Sequence, residues 1–279
     1  MGTCGVAAHS MPRQLLTILL PAQRAQEKIL STFERYRRNV YSQNGEDGVI
    51  AEIIRRIGLK PTWTCDVGAW DGRYGSNCYA LVKKGWPCLM IEADGRKFEY
   101  LQQLARRADG LIRPMHAHVD HAGGPQSLDA LIERATLPGK IEVLSIDIDS
   151  YDYFVWQSLS HRPAIVVIEI TSSTPPGEHY IFGSDRGSKR LTTFSAMLEL
   201  GRRKQYTLAC HTGNMIFVRE EDAPRLGLSA EELAHPESLF VTDWMQPTRA
   251  QVLKRKLKFM TPQRAWVKCV NAIHGNGPA

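Results

Sequence analysis

From residue 62 to residue 170 the chain alternates without a break between short aliphatic runs and amphipathic stretches. The runs predict strands at 62–67, 87–92, 111–117, 141–147 and 164–170, and the stretches between them predict helices at 76–84, 96–108, 126–135 and 151–159. Strands separated by helix-length crossovers call for a parallel, doubly wound sheet. Ile141 to Ile148 and Ala164 to Ile170 are nearly continuous aliphatic runs, as expected of central strands covered on both faces, and they are expected to flank the first strand. Upstream, Gln26 to Arg38 reads as a charged helix, and Glu46 to Ile57 carries apolar residues at 49, 50, 53, 54 and 57, which is helical spacing. Downstream come a helix at 192–204 and strands at 207–209 and 214–218, with His211-Thr212-Gly213 as a hairpin-like turn. Ser229-Ala230-Glu231-Glu232 looks like a capped helix start. A chain of 279 residues with 43% apolar content suits one large α/β domain with extensions. The expected division is a helical extension at 1–58, a core at 59–220, and a basic, mainly helical extension at 221–279.

The end of the first strand carries the clearest chemistry. Cys65-Asp66-Val67-Gly68-Ala69-Trp70-Asp71-Gly72 is followed about one strand-helix unit later by Ile91-Glu92-Ala93-Asp94, the spacing of a nucleotide-binding unit with an acid for the ribose. Glycines at such a turn let backbone approach a ligand, and a carboxylate ending the next strand accepts hydrogen bonds from both ribose hydroxyls. Phosphate is poorly served. The glycines are spaced G-x-x-x-G, and Asp66, Asp71 and Asp94 would repel a pyrophosphate. A nucleoside without phosphates and with a positive charge fits better.

Five segments in this order resemble the FkbM-like methyltransferases that use S-adenosyl-L-methionine. They are Tyr41-Ser42-Gln43-Asn44-Gly45-Glu46-Asp47-Gly48; Asp66 to Gly72 with Ser76-Asn77; Gly85-Trp86 with Ile91 to Asp94; Leu144-Ser145-Ile146-Asp147-Ile148-Asp149 with Asp152-Tyr153; and Val167-Ile168-Glu169. The likeness spans roughly residues 40 to 220. It implies a seven-stranded, mostly parallel, Rossmann-like methyltransferase sheet with the cofactor over the ends of the first two strands. On that resemblance Gly68 approaches the methionine portion, Glu92 holds the ribose, and Ala93 and Asp94 lie beside the adenine, whose amino group Asp120 could meet. Gln43, Asp66, Ala69, Gly72, Asn77 and Asp147 complete the candidate cofactor contacts. Ser42 or Asn44 could serve as a helix cap or as a ligand contact.

Asp147 and Asp149 are two apart and face one side of an extended strand, and Glu169 ends the neighbouring one. The three acids could bind Mg²⁺ and a diol substrate. They could also supply a metal-free general base through Asp147 or Asp149, with His179 in the polar loop 171–190 as a further candidate. A third reading makes Asp149 a cap for the helix starting near Tyr151. That loop is long enough to act as a lid.

One motif competes. His116-Ala117-His118-Val119-Asp120-His121-Ala122-Gly123-Gly124 matches the H-x-H-x-D-H-x-G-G signature of metallo-β-lactamase-fold zinc hydrolases, with His179, Asp243 and His274 following in order. The β-α alternation leading into it argues against that fold. A relative that binds cofactor or a partner without catalysis is the other rival. After Asp243 every charged residue is basic, within a net formal charge of +6. That tail could meet an acidic partner or pack as a solvated basic helix; no nucleic-acid motif accompanies it. The six cysteines form no C-x-x-C pair, which fits free thiols in a reducing compartment. The apolar run Leu15 to Leu20 stops at Pro21, Val6 breaks an acylation-like start at Gly2, and no segment approaches a membrane span of about 18 apolar residues. The expectation is a cytoplasmic methyltransferase acting on oxygen of a hydroxylated small molecule or sugar, with nitrogen and carbon acceptors open.

Overall fold

The aliphatic runs become adjacent strands of one sheet. The structure, a computed structural model, describes residues 31–183 and 191–242, all within the compact unit 31–279. The strands are β1 (Trp63–Val67), β2 (Cys88–Glu92), β3 (Ile112–His116), β4 (Ile141–Ile146), β5 (Ile165–Glu169), β6 (Tyr206–His211) and β7 (Asn214–Arg219). They form a seven-stranded sheet in the order β3-β2-β1-β4-β5-β7-β6. β1 to β5 are parallel, whereas β7 runs antiparallel to both β5 and β6. Only half of the expected flanking holds: β4 lies beside β1, but β5 pairs with β4 and β7, and β2 takes the other side of β1. The chain winds outward from β1 to β3 and then returns to the far side of β1. This reversal opens a crevice at the carboxyl ends of β1 and β4, where open α/β sheets bind ligands. Pro114 stands in β3, an edge strand, where a missing N–H is tolerated.

Helices α1 (Glu46–Ile57), α2 (Tyr79–Val82), α3 (Gly95–Ala105), α4 (Leu128–Arg134), α5 (Asp152–Ser158), α6 (Phe194–Arg203) and α7 (Ala230–Ala234) precede, connect or follow the strands. The periodic residues Val49, Ile50, Ile53 and Ile57 of α1 are buried against Val143, Ile165 and Val167 of the sheet. The other face holds Trp156 of α5 and Phe194 and Met197 of α6 over Leu144, Val166 and Phe217. Ser229 caps α7 through the capping box expected from its sequence.

Three expectations are corrected. Among the described residues of 26–38 there is only a short 3₁₀ turn, Glu34–Tyr36, because the following backbone is bound by Asp47: its Oδ2 accepts from the N–H groups of Val40, Tyr41 and Ser42 at 2.8, 2.6 and 2.8 Å. The helix expected at 76–84 shrinks to Tyr79–Val82, since Ser76 Oγ accepts from the N–H groups of Cys78 and Tyr79 and turns the chain first. β6 runs to His211, so the hairpin turn is Thr212-Gly213, with Gly213 at φ 109°. Cys65, Cys78, Cys88 and Cys210 are buried free thiols. Among the described residues no helix is long and apolar enough to cross a membrane. The run Leu15–Leu20, Cys4, Cys269, the basic tail with Asp243 and His274, and residues 184–190 of the loop lie outside the described residues.

On α1, Glu52 accepts from Arg55 Nε and Nη2 at 2.8 and 2.7 Å and from Arg56 Nε at 2.8 Å. These bonds, that from Arg55 foremost, hold its carboxyl down at about 2, against 4.5 for an ordinary glutamate. A carboxyl lowered by folding contributes stability above its unfolded pKa and loses it as pH falls through the folded one. Between pH 5 and 2 the melting temperature of the unaltered protein is expected to fall more steeply than that of Glu52→Gln. Parallel acid melting curves would refute the assignment.

Candidate functional site

At the carboxyl ends of β1, β2 and β4 lies a cavity of about 440 Å³. Its walls include Gln43, Asp66, Gly68, Asn77, Glu92, Ala93, Asp147 and Asp149, all expected from sequence, together with Trp70, Tyr74, Lys97, His118, Ser145 and Ser150, which were not.

The turn leaving β1 is held by internal bonds. Gly68 and Ala69 both donate to the Ile91 carbonyl at 3.0 Å, and Gly72 donates to Ala69 at 2.7 Å. Trp70, at φ 53°, donates to Glu92 Oε2 at 2.7 Å, while Asp94 N donates to Oε1 at 2.8 Å. The N–H groups of 68, 69, 70 and 72 are thus occupied, so the turn does not offer them to a phosphate. Glu92 is 6% exposed, and each of its oxygens keeps acceptor capacity beyond the bond it already receives.

The floor between β1 and β4 is polar. Asp66 and Ser145 face each other across the two strands, and Ser76 Oγ donates to Asp66 Oδ2 at 2.6 Å. Burial pushes the Asp66 carboxyl up to about 6, against the Ser76 and Ser145 hydrogen bonds. Asn77 Nδ2 donates to Ser145 Oγ at 3.1 Å, whereas Asn77 Oδ1 is buried without a partner.

Segment 40–47 closes one wall. Besides its three backbone bonds, Asp47 Oδ2 accepts from Ser42 Oγ at 2.9 Å, and Tyr41 O accepts from Gly75 N at 3.1 Å. Ser42 Oγ in turn accepts from Asp47 N at 3.1 Å, so Ser42 serves the local fold. The N-cap of α1 is Gly45, not Asn44. Gln43, between them, reaches the cavity.

The acids do converge: one oxygen each of Asp147, Asp149 and Glu169 lie within 4.8 Å of one another. Burial and then the nearby Asp152 and Asp149 push Asp147 above the usual carboxylate range. Burial and Asp147 do the same, more strongly, to Glu169, whose Oε2 is buried and unpartnered. Such a set can share a proton or take an oxygen-loving cation. Asp149 is not the cap of α5: Asp152 accepts from Ile148 N and Ser150 N at 2.9 and 3.0 Å, and Asp149 is left at φ 59° on the cavity wall.

Other nominated residues do not line the cavity. Ala69 packs with Cys78, Met90 and Leu101, and Gly72 is pressed by Leu101, Leu104 and Met90. The Asp94 carboxylate caps α3 through Arg96 N and Lys97 N at 2.9 and 3.0 Å. Asp120 accepts from Ala122 N at 2.9 Å. His179 Nε2 lies 2.9 Å from a Glu199 carboxylate oxygen of α6, with half its side chain exposed and outside the cavity.

The histidine-rich motif is dispersed. His116 stacks on Phe98 at 4.8 Å, His118 lines the cavity, and His121 stacks on Tyr151 at 4.2 Å. Among the described residues the group able to share a metal is Asp147, Asp149 and Glu169, with no histidine. The zinc-hydrolase reading therefore fails on geometry as well as on fold.

Comparison of the sequence with family models gives no match, and neither does comparison with curated proteins. Solved structures overlap with the chain at low identity. One is an S-adenosylmethionine-dependent methyltransferase from Clostridium acetobutylicum (11% identity, 60% of this chain and 87% of that one, TM-score 0.38). Another is a TehB-like methyltransferase from Corynebacterium glutamicum (16%, 65% and 89%, 0.37). A third is the glycopeptide N-methyltransferase MtfA with sinefungin (10%, 69% and 92%, 0.39). At such scores and identities the functional reading rests on this chain's own residues.

Proposed function

We propose that the chain is an S-adenosyl-L-methionine-dependent methyltransferase of the FkbM-like kind, transferring a methyl group to an oxygen of a hydroxylated small molecule or sugar. The observation that carries this is Glu92. It ends β2 inside the cavity, is locked by two backbone N–H groups, and keeps acceptors for a ribose diol, beside a turn whose N–H groups are already spent. The residues also fit the rest of such a cofactor. The unpartnered Asn77 Oδ1 and the acids 66, 147 and 149 suit a cation, and Ala93 and His118 line the same cavity beyond Glu92. The cofactor would supply an activated methyl group. The protein's part is to hold the acceptor in line with it and to take up the acceptor's proton.

Asp147 is the side chain best placed for that proton, since it lines the cavity and is pushed towards neutrality by burial and its acidic neighbours. A second reading has specific support in the approach of the three carboxylates: Asp147, Asp149 and Glu169 would hold Mg²⁺, which would lower the pKa of a bound hydroxyl. Chelator-resistant turnover favours the base, and turnover lost in chelator and restored by Mg²⁺ favours the metal. Four buried free thiols agree with a cytoplasmic setting.

Glu92→Ala tests the placement. Titration of S-adenosylhomocysteine by calorimetry is expected to show affinity reduced about 10-fold or more, since hydrogen bonds to an ionised group are lost. Unchanged affinity sinks the ribose site. Binding without S-adenosylhomocysteine production across a broad acceptor panel would favour a non-catalytic relative.

A further inference from the structure

The loops that follow β3, β4 and β5 meet beside the cavity and bring aromatic rings together there. His121 stacks on Tyr151 with centroids 4.2 Å apart and planes 2° from parallel, and Phe182 meets Tyr151 at 4.9 Å and 85°. Val119 and Ser150 line the cavity, so His121 and Tyr151 stand just beyond its edge in the chain. Phe182 is fixed from outside by the residues that lead into α6. Its N–H donates to Thr192 Oγ1 at 3.2 Å, Tyr180 N donates to Thr193 Oγ1 at 3.0 Å, and Thr193 N donates back to the Tyr180 carbonyl at 2.9 Å. The rings are thus held in place, yet they are not core: Tyr151 is 39% exposed and the His121 side chain 36%. Aromatic surface kept in water at the mouth of a ligand cavity is a binding wall in waiting.

We infer that this wall, with Tyr151 at its centre, seats the methyl acceptor, and that the acceptor is a neutral sugar lying with its C–H face on the rings and its hydroxyls towards Asp147, Asp149 and Glu169. The inference rests on the methyl-donor reading and deepens it by naming the acceptor's class. The acids and the rings make separate demands. Three carboxyl groups whose oxygens come within 4.8 Å, with Glu169 Oε2 unpartnered, call for several donors on neighbouring atoms, or for an ion with a diol on it. Adjacent hydroxyls meet either demand. The same acids repel a phosphate or a carboxylate, which disfavours anionic sugars and hydroxy acids. The rings call for an apolar face, which an open-chain polyol lacks. A catechol has a flat face but only two donors, and its own electron-rich ring is not drawn face-on to another. The C–H groups of a sugar are polarised by their oxygens, and the negative face of an aromatic ring attracts them.

The test follows a labelled methyl group from S-adenosyl-L-methionine into a panel of methyl pyranosides of the common hexoses, deoxyhexoses and pentoses. Their uronate and phosphate counterparts and catechol are run beside them. At least one neutral glycoside is expected to be methylated, and its anionic counterparts and catechol are not. For that glycoside Tyr151→Ala is expected to raise KM about 10-fold, the size of one lost aromatic contact, with little change in kcat. Tyr151→Phe keeps the ring and is expected to recover most of the lost affinity. S-adenosylhomocysteine, titrated by calorimetry, is expected to bind all three proteins equally, which shows that the variants fold and that the wall serves the acceptor and not the donor. The inference is overturned if a protein that binds S-adenosylhomocysteine methylates no glycoside, if catechol or an anionic sugar is methylated instead, or if Tyr151→Ala leaves KM unchanged or weakens S-adenosylhomocysteine to the same degree. If the unaltered protein does not bind S-adenosylhomocysteine at all, the methyl-donor reading itself is lost, and this inference with it.

Discussion

Gly68→Ala is expected to abolish adenosyl-ligand binding and to lower the melting temperature by roughly 6–12 °C, about 3 kcal/mol at the usual 2–4 °C per kcal/mol for a domain of this size. A Cβ on Gly68 would stand 1.8 Å from the Asp147 carbonyl oxygen and 2.9 Å from its carbonyl carbon. Those are backbone atoms of the neighbouring strand end and cannot rotate away. The residue also sits at φ 80°, in the region that alanine enters only at a cost of about 1–2 kcal/mol. Relief requires the ends of β1 and β4 to part, which would move Asp147, Asp149 and the Asp66–Ser145 floor together. Gly58→Ala is the matched control. Gly58 has φ 75° and nothing within 4 Å of a built Cβ, so it carries the conformational cost without the collision. It is expected to lose about 1 kcal/mol and to bind normally. A Gly68→Ala protein that melts within a degree of Gly58→Ala and binds S-adenosylhomocysteine as well would show that the strand ends are not tied at this point.

The strands were legible because β-branched and aliphatic runs such as Ile141-Glu142-Val143-Leu144 and Ile165-Val166-Val167-Ile168 have few other ways to be buried. Their order was less so. Hydrophobicity says that β5 is central but not which strand it touches, and burial is the same beside β1 as beside β4. Glu92 and Glu169 were readable from spacing, since each ends a strand and a strand end fixes the direction of a side chain; Asp147 directly follows β4, but Asp149 lies beyond the strand and joins the group through a left-handed φ of 59° that the spacing does not foretell. What failed depended on side chains reaching across loops. Asp47 gathers three N–H groups and so keeps 40–42 extended where charge patterning suggested a helix upstream. Asp94 looked like a ligand group but spends its carboxylate on capping α3. Trp70 reaches the cavity only because its backbone adopts φ 53°, which no local sequence rule marks. Ser145 carried a usable signal: it is two residues before Asp147 and so shares its face of β4. The histidine motif shows the reverse error, for letters that match a metal signature are here sent in three directions by a strand end and a turn.

Glu169→Gln is expected to make the ligand-free protein more heat-stable and the proposed methyl transfer slower. In the folded protein the Glu169 carboxyl is raised by burial and by Asp147, which lies beside Asp152 and Asp149. A carboxyl raised by folding holds its proton in the native state and gives it up on unfolding. Its contribution is therefore favourable only below the unfolded pKa and is lost progressively as pH rises towards the folded one. From pH 5 upward the unaltered protein should thus lose melting temperature in part through this group, and the uncharged glutamine should flatten that decline. By pH 8 the variant should melt higher, by about 2–4 °C for each kcal/mol that keeping this proton on the folded protein costs. Turnover moves the other way, as expected where a site holds like charges together for its chemistry. If Asp147 acts as a metal-free base, the amide introduced by Glu169→Gln can still donate a hydrogen bond to it, and the loss is confined to about 10-fold, below the roughly 100-fold or more that a general base itself contributes. If the three acids hold Mg²⁺, the variant lacks a ligand: Mg²⁺ raises the melting temperature of the unaltered protein but not of the variant, and turnover falls far more. Melting curves from pH 5 to 9, with and without Mg²⁺, separate the two. A variant less stable than its parent at pH 8 would mean that Glu169 is not held protonated by burial and its acidic neighbours, and the description of the cluster would fall.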